Sequence, residues 1–112
     1  MGQSKKSRYF ARIRRWCLQQ EDVVEEFPWG ITVFKVNGKV FAMCDPEPPL
    51  TISLKPRKEN LDAYLYLPDV AVAAYVGRYG WITVTASDKQ SADLAFSLVK
   101  ESYGVKSAGK KK

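Results

Sequence analysis

Histidine is absent from this 112-residue chain, and cysteine occurs only twice, at Cys17 and Cys44. Without histidine the chain lacks the usual general base near neutral pH and the usual partner of a catalytic nucleophile. The two cysteines stand in no CxxC pair, and a zinc site needs four ligands, so no metal and no cofactor are expected. Two reduced, buried thiols are the expectation for them, with a disulfide left open by spacing alone. Long apolar runs are also missing. None reaches the roughly 18 residues of a membrane span, and the N-terminus has no hydrophobic signal region, so the chain is expected to be cytoplasmic and off the membrane. Phosphate-loop and dinucleotide glycine signatures are missing too, and Asp45, Glu47 and Asp69 are scattered loop acids. These absences together point away from an enzyme.

What is present is positive charge, unevenly placed. The net charge is +6. Residues 1–20 carry Lys5, Lys6, Arg8, Arg12, Arg14 and Arg15 with no acid, Glu21, Asp22, Glu25 and Glu26 follow together, and the chain ends Lys110-Lys111-Lys112. Basic ends suit a polyanion partner, although lysine-rich tails also serve solubility. The acids at 21–26 read either as a solvated loop or as partners for the arginines of the first helix.

One stretch organises the rest. Ile31–Val36 and Lys39–Cys44 are rich in β-branched and aromatic residues and flank Asn37-Gly38. Asn-Gly accepts the positive φ that a type I′ turn needs twice, so this is a two-residue hairpin. Unbroken alternation then sets Val36 opposite Lys39, Phe34 opposite Phe41 and Thr32 opposite Met43, with Phe34, Val36, Phe41 and Met43 facing the core.

Upstream, Phe10, Ile13 and Cys17 recur at helical spacing over about 7–20, and Trp16 beside that stripe reads as core. Phe27-Pro28-Trp29-Gly30 reads as a turn. Downstream, Asp45-Pro46-Glu47-Pro48-Pro49 ends the ladder. Leu50 to Lys55 is a third strand with Ile52 and Leu54 inward, and Arg57 to Tyr66 a short helix. Residues 70–80 lack a clear period and read as a helical turn or irregular segment, with Gly77–Gly80 a turn. Trp81 to Thr85 is a fourth strand. Ser87 with Gln90 forms a capping box for a last helix over 88–103, stopped by Gly104. The expected fold is therefore two-layer α+β, order α-β-β-β-α-β-α. Its antiparallel sheet has four to five strands with helices packed on one face. The domain spans 7–104, with flexible basic tails at 1–6 and 105–112.

Read in order, Phe27-Pro28-Trp29-Gly30, Phe34-Lys35-Val36-Asn37-Gly38-Lys39-Val40-Phe41-Ala42, Ser53-Leu54-Lys55, Arg78-Tyr79-Gly80-Trp81-Ile82-Thr83-Val84 and Ser102-Tyr103 resemble the MmcQ/YjbR family of small bacterial proteins. The resemblance runs over about 8–104. It implies a fold similar to that of CyaY and of type III secretion chaperones, and a DNA-binding role attached to a "double wing" of β elements. Gly77-Arg78 stands where family members often carry asparagine-lysine before the tryptophan.

The residues themselves offer two candidate nucleic-acid surfaces. One joins Lys35 and Lys39 on the hairpin, Lys55 after the third strand, and Arg78, Tyr79 and Trp81 before the fourth. The other is the helical face Arg8, Arg12 and Arg15, at i, i+4, i+7 spacing. Lysine and arginine would neutralise phosphates, and Tyr79 or Trp81 would stack on an unpaired base if exposed. Trp81, at the start of a strand, reads equally as a packed residue. The expectation is a monomer that binds DNA through its phosphate backbone. The rival expectation is a protein-interaction or chaperone-like module with an exposed sheet edge and no nucleic acid.

Overall fold

The structure, a computed structural model, describes residues 7–74 and 76–108, the side chain of Trp29 excepted. The predicted tail at 1–6 and residues 109–112 of the other tail lie outside the described residues.

Three helices and six strands follow one another: α1 (Arg8–Gln19), β1 (Val23–Glu26), β2 (Thr32–Val36), β3 (Lys39–Asp45), β4 (Leu50–Leu54), α2 (Leu61–Leu65), β5 (Val70–Val72), β6 (Ile82–Ala86) and α3 (Lys89–Ala108). The strands form one antiparallel sheet in the order β1-β2-β3-β4-β6-β5. The α+β architecture is as expected, and the strand count is higher. The additional strands are the two edges. β1 was expected to be loop because two of its four residues are acids, and Glu25 points to the helix side, where Arg14 holds it at 2.7 and 2.9 Å. β5 has only three residues, too few to show a period of two. Short, charged strands are what a sheet edge tolerates.

The Asn37-Gly38 turn has φ of 54° and 82°, as a type I′ hairpin requires. Val36 pairs with Lys39 as predicted, but the register then shifts, so that Phe34 pairs with Ala42 and Thr32 with Cys44. The extra residue is accommodated by a β-bulge in β3, which turns both Phe41 and Ala42 into the core. Beyond the bulge the phase is reversed: Cys44 is buried, and Met43, predicted inward, is only half-buried.

The inward residues of the sheet meet α1 and α3 in one cluster, which includes Phe34, Phe41, Ile52, Leu54, Ile82 and Val84 from the strands. Phe10, Ile13 and Cys17 join it from α1, and Ala95, Leu98 and Val99 from α3. Each fully buried Phe or Leu contributes ~1.5–3 kcal/mol. Trp16 packs edge-on against Tyr103 and Phe96, with ring centroids 5.5 and 6.4 Å away. The opposite sheet face carries the half-buried Val40, Met43, Thr51, Ser53, Thr83 and Thr85. Among the described residues no helix is long and apolar enough to cross a membrane.

The last helix departs from expectation at both ends. Its cap is Asp88, one residue later than predicted, and the Asp88 carboxylate accepts from the Ser91 N–H at 2.9 Å. At the other end the helix runs through Gly104 to Ala108, so residues 105–108 are helical and belong to the domain. Helical burial of Leu98, Val99 and Ser102 holds that last stretch on the sheet, and this outweighs glycine's roughly 1 kcal/mol preference against helix.

Candidate nucleic-acid interface

Four segments reach the same end of the sheet because the register forces them there. Lys39 opens β3 beside the hairpin turn. Leu54, the last residue of β4, pairs with both Ala42 and Ile82, which brings Lys55 next to the start of β6. A single 3-10 turn, Gly77–Tyr79, precedes β6 and is closed by Gly80 at φ +88°, a conformation that suits glycine. The fourth segment is the final turn of α3.

Ser102 of α3 joins these pieces. Its hydroxyl, fully buried, donates to the Phe41 carbonyl at 2.7 Å and accepts from the Lys55 N–H at 3.0 Å. Phe41 lies where the bulge breaks the ladder, and Lys55 lies just past the end of β4, so each backbone group is one the sheet leaves over. One helical turn later, Lys106 sets its Nζ 5.4 Å from the centre of the Trp81 ring. Burial lowers the Lys106 pKa below its ordinary value, and the nearby charges of Lys55 and Lys39 lower it further.

Beside Lys55 the surface is concave. A cleft of about 330 Å3 is lined by Lys55, Pro56, Lys58, Leu61, Arg78, Tyr79 and Gly80. Arg78 donates to the Tyr79 hydroxyl at 2.8 Å and lies 4.9 Å from the centre of its ring. The far wall of the cleft is braced by Glu101, whose carboxylate accepts from the Arg57 N–H at 2.6 Å, Asn60 Nδ2 at 3.1 Å and the Tyr64 hydroxyl at 2.6 Å. Burial alone would raise the Glu101 pKa, but these three donors outweigh it and hold the group below its ordinary 4.5. Burial, with Glu101 as acceptor, pushes the Tyr64 hydroxyl up to about 12. A carboxylate with a depressed pKa stabilises the fold fully above its unfolded value and loses that contribution as pH falls through the folded one. Acidification below the ordinary carboxylate range should therefore loosen residues 57–64 before the sheet melts. Amide exchange of Arg57 against pH would record this, and Glu101→Gln should abolish the pH dependence.

Of the predicted residues, the fold brings Lys39, Lys55, Arg78, Tyr79 and Trp81 together. Trp81, however, is 8% exposed and covered by Lys106, so it supports the site from beneath and offers no ring face to a base. Lys35 does not join them. It pairs with Glu26 at 3.0 Å on the outer face of the sheet. The helical trio is divided as well. Arg12 is bound to Asp93 at 2.6 Å and lies over the Phe96 ring. Arg8 and Arg15 instead rim a groove of about 830 Å3 beside β1, with Phe10, Leu18 and Phe27 in its walls. The acids at 25 and 26 thus pair with cations, as one of the two sequence readings held.

Sequence reasoning missed Lys58 and Lys106. Lys106 sits at i+4 from Ser102 on one helical face, a signal that Gly104, read as a stop, concealed. Among the described residues ion pairs engage Arg12, Arg14, Lys35 and Lys89, and none engages Lys39, Lys55, Lys58, Arg78 or Lys106. Among those residues, too, no group of three or more cysteine or carboxylate side chains could hold a metal ion. The two thiols are buried and unbonded. Burial raises the Cys17 pKa to about 12 and that of Cys44 well above its ordinary value.

A six-stranded antiparallel sheet with helices on one face and a basic end defines a small open-sheet α+β protein. The chain belongs to the YjbR family, whose model matches residues 18–105. Lys39, Lys55 and Arg78 fall inside the matched segment, whereas Arg8, Arg12 and Arg15 precede it. In fold it is similar to a crystallographically solved protein from Pseudomonas syringae, with a TM-score of 0.69 and 19% identity over 86% of this chain and 97% of that one. At that identity the likeness speaks for the fold. No curated protein matches the chain.

Proposed function

We infer that the protein binds the phosphate backbone of DNA through the basic end of its sheet. The observation that supports this reading is the contrast in pairing. Cations elsewhere on the described surface are held by carboxylates, while Lys39, Lys55, Lys58, Arg78 and Lys106 gather from four segments without an ion-pair partner. Like charges held together cost stability, and a polyanion lying across them would relieve that cost. Such contacts release counterions and carry little sequence information, so the binding is expected to be broadly non-specific. The role is binding and not catalysis: both thiols are held protonated by burial, and the thiolate is the form that attacks.

The test is a salt titration of the full chain with random duplex DNA by fluorescence anisotropy. Four or five phosphate contacts should give a log–log slope of about −4. A flat line, or no binding at low salt, would remove this function. The groove beside α1 favours the rival reading of a protein-interaction module, for which the same titration would show no DNA binding.

A further inference from the structure

We propose that the cleft between Lys55 and Tyr79 seats one unpaired nucleotide, so that the protein prefers single-stranded over duplex nucleic acid. This rests on the polyanion reading above and adds a ligand class to it. The cleft has two chemistries in one small space. Pro56, Leu61 and the Tyr79 ring form apolar walls, while Lys55, Lys58 and Arg78 supply cations at the same opening. Backbone binding alone needs a convex or flat basic surface, because the phosphates of a duplex lie on the outside of a rod. An apolar recess gains nothing from such a rod.

At about 330 Å3 the recess falls at the lower end of small-ligand sites, which suits a single base with its sugar and no stacked pair. Tyr79 is 55% exposed, so its ring is open to a partner. Arg78 lies against that ring, and aromatic and guanidinium planes are the two platforms on which unpaired bases stack. Gly80 keeps the floor low. A Cβ there would stand 3.8 Å from Cε of Lys55, in the space between the two walls. The Glu101 carboxylate braces the wall at 57–64 with its acceptor sites taken by three donors, which limits its repulsion of a phosphate. Base on Tyr79 and phosphate on Lys55, Lys58 and Arg78 is the arrangement these groups recognise.

The experiment compares three labelled probes of equal length against the full chain: a mixed-sequence DNA strand, the same strand built entirely of abasic sites, and the duplex. The base-bearing strand should bind about tenfold or more tightly than the abasic one, the gain of one stacked base. Tyr79→Ala should erase that difference and leave abasic and duplex binding unchanged, while Tyr79→Phe, which keeps the ring, should retain it. Equal binding of base-bearing and abasic strands, or a difference that survives Tyr79→Ala, overturns the nucleotide seat and leaves backbone binding intact. Failure of all three probes to bind overturns both.

Discussion

Reversing Lys39 and Arg78 together, as Lys39→Glu with Arg78→Glu, should weaken duplex binding by more than about tenfold at low salt and reduce the log–log salt slope by about 2 units. Both side chains are exposed and unpaired, so the substitutions remove no packing and should shift stability by no more than about 0.5 kcal/mol. The control is the pair Arg12→Glu with Lys35→Glu. It changes net charge by the same amount, but these cations are already matched by Asp93 and Glu26. If binding followed net charge alone, the two double variants would behave alike. The placement of unpaired cations predicts a large effect in the first and a small one in the second.

The second large effect concerns the fold. Ser102→Ala removes one oxygen and leaves two buried backbone groups without a partner, the Phe41 carbonyl and the Lys55 N–H. Each orphaned group costs ~1–3 kcal/mol, so a loss of about 2–4 kcal/mol is expected. That is a large share of the total stability of a domain this size. It should appear as a lower urea midpoint at unchanged m-value. A shift below about 0.5 kcal/mol would mean that water reaches the bulge and that Ser102 is not what holds it. The same hydroxyl fixes the backbone from which Lys55 reaches the cleft, so the folded fraction of the variant should also bind DNA less tightly.

The parts of the fold that were legible carry strong local chemistry. Asn37-Gly38 could only be a tight turn, and Phe10, Ile13 and Cys17 could only be one helical stripe. Ile52, Leu54, Ile82 and Val84 alternate clearly enough to mark the central strands. The rest depended on tertiary partners. Val23–Glu26 is a strand because β2 pairs it and Arg14 receives Glu25. Val70–Val72 is one because β6 offers an edge. The bulge at Phe41 has no local signature, since Val40 to Cys44 is apolar on either phase, and it exists with Ser102 waiting 61 residues away. Gly104 marks helix ends so often that the continuation to Ala108, which carries Lys106, was hidden.

The candidate site follows the same division. Lys39, Lys55 and Arg78 were recognisable as cations near turns and strand ends. That Lys35 and Arg12 would be matched by acids could not be read, because Asp93 lies 81 residues from Arg12. Trp81 was legible as an aromatic, and its burial under Lys106 was not.

The most direct test of the central idea is a map of backbone amide shifts as DNA is titrated into the labelled protein. The account predicts that the largest changes fall at residues 37–40, 55–58, 77–81 and 102–106, with α1 and the outer sheet face quiet. Changes centred on Arg8 and Arg15, or spread evenly over the molecule, would contradict it.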